Sequence, residues 1–369
     1  MSARGGVKTD SAAWLTLAKD FSARVVRDVE IIRARFPAAV PDDAPELLSV
    51  MEAYPGSSYL HREEEGLELV LVRPLIDRRP RWWLHALLFA FTILTTHMAG
   101  AMMAGVDPFA TRFLEIGGVG IPYPSGLDLG SLAAGTSFSL PFVAILLAHE
   151  MGHYLMALRH RVPVTPPFFL PFPAYYSLIG SLGAFIRIRG PMVRRTILLD
   201  VGAGGPLASF VLALPFAWIG LRLSVPVQGV ADVIAPYAVI FFDQPIWIGN
   251  GLLFHALASL VAPVHPGEAP LLLHPMAFAG WLGLFVTALN LLPLGQLDGG
   301  HILYAYRPSW QRRVGRMFLL ALLPLGLVWW GWWPWAVVAF AVNRGRIEHP
   351  PVLQEGVRPG PWRRRVAVV

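Results

Sequence analysis

Polar and apolar positions follow two regimes along the chain. Over residues 12 to 36, Trp14, Leu15, Leu17, Ala18, Phe21, Val25, Val26, Val29 and Ile32 recur at helical spacing and predict a helix, whereas Leu67 to Val72 predicts a strand. The charge run His61-Arg62-Glu63-Glu64-Glu65 and the turn-forming Pro41-Asp42-Asp43-Ala44-Pro45 interrupt this stretch. Residues 1–80 therefore read as a small soluble N-terminal domain. From Trp82 onward the pattern becomes long apolar runs of about 20 residues, the length a helix needs to cross a bilayer.

Such runs cover Trp82 to Ala104, Leu129 to Leu158, Arg195 to Leu221 and Pro275 to Leu297. Phe318 to Val342 fits one span, or a hairpin turning at Trp329-Trp330-Gly331-Trp332-Trp333-Pro334. Residues 233–264, broken by Asp243, Pro245 and Gly251, suit a re-entrant or interfacial segment or a pair of short spans. Loop charges orient the runs: Arg159 to Arg195 and Arg307 to Arg316 carry arginines and no acid, and Arg73, Arg78, Arg79 and Arg81 precede the first run. Those borders are expected on the cytoplasmic side, with the acid-bearing stretches Asp107 to Asp128 and Arg222 to Glu268 outside. Between Arg159 and Arg195, Thr165-Pro-Pro-Phe-Phe-Leu-Pro-Phe-Pro173 and the alternating Ala184 to Arg189 read as a hairpin with a free edge.

Composition agrees with lipid as the main solvent. Of 369 residues 55% are hydrophobic and 15% charged, where a soluble chain carries roughly a quarter. The net charge of +6 comes from arginines beside apolar runs, with Lys8 and Lys19 the lysines, which suits a membrane border and not nucleic acid. No cysteine is present, which excludes disulfides, thiolate metal sites and cysteine nucleophiles. A metal here must use His, Asp or Glu. The expected fold class is an all-α polytopic membrane protein: a multi-span helical bundle with a small membrane-associated β-hairpin, its site between two core spans. Its expected divisions are 1–80, a transmembrane domain over 81–343 and a basic cytoplasmic tail over 344–369.

The second run contains His149-Glu150-Met151-Gly152-His153. On a helix, residues four apart share a face, so both imidazoles can meet one metal while Glu150 reaches a water beside it. A carboxylate at this depth costs roughly 2.5 to 3.5 kcal/mol, so Glu150 is expected to do chemistry. A catalytic zinc takes three protein ligands and leaves a place for water. Between Glu268 and Arg307 the one acid is Asp298, in Leu297-Asp298-Gly299-Gly300-His301. At about 1.5 Å per helical residue, His149, His153 and Asp298 lie roughly 15, 9 and 13 Å from their arginine borders.

These residues, with Asn290-Leu-Leu-Pro293-Leu-Gly-Gln-Leu297-Asp298-Gly299-Gly300-His301, resemble the site-2 protease family of zinc intramembrane metalloproteases. Phe185-Ile-Arg-Ile-Arg189-Gly-Pro191, Asp200-Val-Gly-Ala-Gly-Gly-Pro206 and His274-Pro275 extend the resemblance over about residues 130–305. It implies His149, His153 and Asp298 as ligands of one Zn2+ per chain, Glu150 as general base and Asn290 as a substrate-positioning or oxyanion group. The chain lacks a PDZ-sized insert between its third and fourth runs, and is similar to the branch of bacteria and plastids with a polar N-terminal extension. The implied activity is hydrolysis of peptide bonds in or near transmembrane segments of membrane proteins, that is, regulated intramembrane proteolysis. Two alternatives stay open: a zinc transporter and a pseudoprotease scaffold. His301 is expected against the Asp298 carboxylate. The N-terminus lacks a basic segment followed by an apolar run, so no cleavable signal is expected. The expected location is a prokaryotic plasma membrane, multi-pass, with the N-terminus cytoplasmic.

Overall fold

A computed structural model describes residues 13–26, 28–63, 65–75, 79–227, 235–241, 244–266, 268–342, 345 and 348–366. Lys8, Arg78, Asp232, Asp243 and the start of the expected helix at residue 12 lie outside the described residues.

The N-terminal part is a sheet, which corrects the expected helix over 12–36. A short helix α1 (Ala13–Leu17) leads into strands β1 (Asp20–Val26) and β2 (Val29–Pro37), followed by helix α2 (Pro45–Ala53) and strands β3 (Ser57–Glu63) and β4 (Gly66–Pro74). The strands are antiparallel in the order β1-β2-β4-β3. Two features override the helical spacing. Asp28 adopts φ 67° and Val26 pairs with Val29, a tight turn that Asp tolerates. In β2, Ala34 and Phe36 are buried, alternating with the more open Arg33 and Arg35. One sheet face packs Ala34, Phe36, Leu67, Leu69 and Leu71 against Trp14 and α2. The other packs Val29, Val70 and Val72 against Val193, two residues before α5 of the membrane part, and Leu353 of the tail. The predicted strand at 67–72 is thus β4, buried on both faces, and its buried Glu68 is paired with Arg33 at 2.6 Å.

Three helices among the described residues are long and apolar enough to cross a membrane. They are α3 (Trp82–Met103), α4 (Thr136–Arg159, preceded by a 3-10 turn) and α5 (Arg195–Arg222). Between α3 and α4 stands a hairpin of β5 (Arg112–Ile116) and β6 (Val119–Tyr123). Between α4 and α5 the expected hairpin forms from β7 (Phe168–Pro171) and β8 (Ser181–Phe185). His85 of α3 anchors it, with Nδ1 2.9 Å from the Pro167 carbonyl.

Beyond α5 the expectations need correction. Residues 237–261, expected as a re-entrant or interfacial segment or a pair of short spans, contain no helix of spanning length among those described. They make strands β10 (Tyr237–Phe241) and β11 (Gln244–Ile248), flanked by β9 (Val225–Pro226), then the ten-residue α6 (Leu252–Val261). With β12 (Leu271–Leu272) these strands give a second four-stranded sheet, ordered β11-β10-β12-β9. The fourth expected span is α7 (Pro275–Asn290), whose 16 residues fall short of the roughly 20 a span needs. Pro293 and the left-handed Gly295 (φ 47°) separate it from α8 (Asp298–Tyr306). The last block is a hairpin of α9 (Pro308–Val328) and α10 (Trp332–Val342), turning at the tryptophan cluster, and a short α11 (Pro361–Val366) follows in the tail. Among the described residues the fold is therefore mostly helical with four small sheets, not all-α with one hairpin.

The α4–α5 contact is the most extensive in the molecule, followed by α5–α7. At the end of the bundle nearer the second sheet, Phe142, Phe138, Phe278, Trp281 and Phe285 stack in series, with ring centroids 5.2–5.8 Å apart. Toward the arginine-rich end the contacts turn polar, and there the motif residues meet.

Candidate active site

His149, Glu150 and His153 are buried on α4, one helical turn separating the two histidines. Their Nε2 atoms approach to 3.1 Å, and each lies 3.3 Å from Asp298 Oδ2. The ring orientations follow from what holds Nδ1. His153 Nδ1 lies 2.7 Å from the Val201 carbonyl of α5, and a carbonyl only accepts, so Nδ1 carries the proton and Nε2 presents a lone pair. His149 Nδ1 lies 3.1 Å from Ser209 Oγ. The Ile186 backbone N–H, just past β8, faces the Glu150 carboxylate, which places Glu150 beside the hairpin.

Glycines bring these parts together. A Cβ on Gly152 would stand 2.2 Å from the Gly204 carbonyl oxygen, and one on Gly205 2.2 Å from His153 Nε2. The Gly-Ala-Gly-Gly run of α5 is therefore the surface against which α4 lays its motif, the close approach that small residues permit between membrane helices. Asp298 arrives differently. It opens α8 after the break at 291–297, and a Cβ on Gly299 would lie 1.8 Å from the Leu291 oxygen. Asp298 does not continue the helix of the fourth run, as the expected depth of about 13 Å requires; the carboxylate reaches the imidazoles through a turn. Arg195 of α5 secures the far end of α8, donating to the Ala305 carbonyl at 2.8 Å and the Tyr306 carbonyl at 2.6 Å.

The three donor atoms fit a metal. Zinc ligands about 2.0–2.1 Å from the ion in a tetrahedron stand about 3.3 Å apart, and the observed separations are 3.1, 3.3 and 3.3 Å. A carboxylate oxygen and at least one imidazole lone pair converge, an arrangement that calls for a cation. His149, His153 and Asp298 can thus hold one metal ion. Asn290, the last residue of α7, places Nδ2 3.3 Å from His149 Nε2, beside the same point. His301 bonds His349 of the tail at 2.8 Å. Asp200 ties three elements together: His160 at the end of α4 at 2.8 Å, and Arg363 through two bonds of 2.8 and 2.9 Å. His274 acts as N-cap of α7, accepting from the Met276 N–H. Sequence reasoning missed Ser209, Thr287 and the Ile186 N–H; the two hydroxyls were legible only as polar positions inside apolar helices.

The profile described as Peptidase family M50 matches residues 137–323, which include both motif segments. The chain belongs to peptidase family M50. This is the family of the site-2 proteases that the motifs resemble. Among curated proteins, the M50 chain is 28% identical over 293 residues to "Probable zinc metalloprotease EGY1, chloroplastic" of Oryza sativa subsp. japonica, covering 77% of this chain and 47% of that relative. It is 31% identical over 239 residues to "Probable zinc metalloprotease EGY2, chloroplastic" of Arabidopsis thaliana, covering 62% of this chain and 38% of the relative. The chain thus spans less than half the length of these relatives. No solved structure matches it. Spanning-length helices and family membership make it an integral membrane protein. The relatives are named as chloroplastic, so the expected prokaryotic plasma membrane gains no support from them.

Proposed function

We propose that this M50 chain is an intramembrane zinc endopeptidase that hydrolyses peptide bonds in or near transmembrane segments of other membrane proteins. The observation that carries the reading is the convergence of His149, His153 and Asp298 on one point with Glu150 on the same helix, inside an apolar bundle. In this reading His149, His153 and Asp298 hold one zinc, Glu150 is the general base and Asn290 positions the substrate carbonyl. Zinc bound there supplies a Lewis acid that polarises a carbonyl and brings the pKa of a water toward neutrality. Glu150 takes the proton of the attacking water and returns it to the leaving amine. The Asn290 amide donates toward the carbonyl oxygen as charge develops on it.

A transmembrane helix hides its carbonyls in its own hydrogen bonds, so the substrate must open locally into an extended strand. The β7–β8 hairpin beside Glu150 offers a main-chain edge for such a strand. Residues 1–80 then form a cytoplasmic domain, 81–343 the membrane protease and 344–369 a basic tail, with the arginine borders on the cytoplasmic side. Cleavage would release a cytosolic part of the substrate or clear a membrane fragment.

The test compares zinc-loaded wild type with Glu150→Gln in detergent on a panel of single-span substrates, reading cleavage by mass spectrometry and metal content in the same samples. The reading expects wild type to cut within the apolar segment, and the variant to keep its zinc and cut nothing. Equal cleavage by both proteins removes Glu150 as base, and zinc binding without cleavage of any substrate favours a binding role.

A further inference from the structure

The histidine that lacks a carbonyl partner at Nδ1 is held by a chain of hydroxyls from two other helices. Ser209 of α5 is buried, with Oγ 3.1 Å from His149 Nδ1 and 2.9 Å from Thr287 Oγ1 of α7. Thr287 is buried as well, and its hydroxyl donates to the Gly283 carbonyl at 2.7 Å. Ser209 Oγ also lies 3.1 Å from the Gly205 and Pro206 carbonyls of its own helix.

Carbonyl acceptors beside both hydroxyls favour one direction for this chain. A hydroxyl has one proton and two lone pairs. The Thr287 proton goes to Gly283, so Thr287 faces Ser209 as an acceptor. With the Thr287 proton on Gly283, Ser209 has two carbonyls and the Thr287 oxygen as acceptors for its single proton. A lone pair of Ser209 is left for His149. In that direction the bond at Nδ1 runs from His149 N–H to Ser209 Oγ, and the neutral imidazole presents its lone pair at Nε2, the atom that the Asn290 amide N–H approaches at 3.3 Å.

We infer that Ser209, braced by Thr287, is a positioning residue that locks His149 in its Nδ1–H tautomer and aims Nε2 at the metal. It does for His149 what the Val201 carbonyl does for His153. The difference is that the serine is itself aligned by α7, the helix that ends in Asn290. The pair therefore couples one ligand to the helix carrying the proposed carbonyl-positioning group. Partners of this kind fix ring orientation and raise ligand basicity, and losing one costs about 10- to 100-fold in metal affinity. The inference rests on the zinc reading above.

The experiment uses the full chain in detergent: wild type, Ser209→Ala, Thr287→Val and Thr287→Ser. Zinc affinity is read by competition with a chromophoric chelator and ligand geometry by the visible spectrum of the cobalt-substituted protein. Thermal unfolding of the metal-free proteins reports folding. Ser209→Ala is expected to weaken zinc about 10- to 100-fold and to shift the cobalt bands, while the metal-free protein unfolds near the wild-type temperature. Thr287→Val is expected to lose less, because Ser209 keeps its two carbonyls, and Thr287→Ser to match wild type. Wild-type affinity and cobalt spectrum in a folded Ser209→Ala overturn the inference. If Ser209→Ala does not fold, the other pair decides: Val weaker than Ser sustains the inference, and equal affinities overturn it. Should wild type itself bind no zinc, the zinc reading fails and the positioning role falls with it, whereas a wild type that binds and a Ser209→Ala that binds equally refute the positioning role alone.

Discussion

The two halves of the candidate metal centre are built on opposite principles. The imidazole half lies on α4, a continuous helix pressed against the glycines of α5, and its rings take their orientation from fixed groups on that neighbour. The carboxylate half lies where the chain breaks, between the end of α7 and the start of α8, and Asp298 takes its place from a turn packed against the Leu291 carbonyl. The first half depends on two helices lying close along their length, the second on a local backbone path. A disturbance of the first should spread through the bundle, whereas a disturbance of the second should stay at the metal.

The largest effect is expected from Gly152→Val. Its side chain would enter the space of the Gly204 carbonyl, 2.2 Å from a Cβ, and overpacking at such a contact costs about 3 kcal/mol. Unfolding in detergent should shift by that amount and bound zinc should be nearly lost. Unchanged stability with full zinc content would show that the helices can separate without harm. Gly299→Ala is the matching change in the other half. Here a Cβ falls 1.8 Å from the Leu291 oxygen, so the turn must move and carry Asp298 with it. Zinc affinity should drop on the order of 100-fold, as for lost support of a ligand, while metal-free unfolding falls by less than for Gly152→Val because the local turn can shift. If instead Gly299→Ala destabilises the metal-free protein as strongly as Gly152→Val, the proposed contrast between the halves is wrong.

How far the sequence could be read follows the same division. His149 and His153 were legible because helical geometry alone puts residues four apart on one face, and Asp298 because few acids lie in apolar surroundings. The path to Asp298 was misjudged because an apolar stretch through Pro293 and Gly295 looks like a helix until the turn packing is known. The Gly-Ala-Gly-Gly run was visible, but its meaning depended on which helix lies against it. In the N-terminal part the apolar spacing fitted a helix as well as a strand. Pairing with β4 decided the matter, since β4 needs a neighbour to satisfy its backbone and a second apolar face to cover it. Residues 237–272 misled for a related reason: aromatic, β-branched segments are equally apolar in a sheet capping the bundle and in a helix crossing the bilayer.

A smaller effect should come from Arg195→Met, which tests the brace between the two halves. Arg195 begins α5 and donates to the last carbonyls of α8 at 2.8 and 2.6 Å. Methionine keeps much of the apolar stem and removes these charged hydrogen bonds, together with a longer one to the Glu355 carbonyl at 3.5 Å, for a loss of about 2 kcal/mol. Because α8 begins with Asp298, zinc affinity should fall as well, by less than for Gly299→Ala. Loss of stability with affinity unchanged would mean that the start of α8 is held by its turn alone.

The smallest effect belongs farthest from the metal, where the N-terminal sheet docks on the end of α4. The Tyr59 hydroxyl of β3 donates to the His160 carbonyl at 3.3 Å, beside a shorter bond from Ser57 to the Arg161 carbonyl at 3.0 Å. Tyr59→Phe removes one neutral, long hydrogen bond and should cost about 0.5 kcal/mol, with zinc affinity unchanged. The bond also has a pH signature. Burial raises the pKa of the Tyr59 phenol, against the opposing pull of the Ser57 hydroxyl and the Arg194 and Arg161 charges. A raised folded-state pKa means that the folded protein holds this proton more tightly than the unfolded chain. Its contribution is therefore intact below the unfolded value of about 10 and is lost as the pH rises through the folded value. Wild type should accordingly lose stability relative to Tyr59→Phe in that alkaline window and keep its small advantage below it. A stability difference that stays flat with pH would mean that the phenol contributes by packing, and that the docking contact owes nothing to its proton.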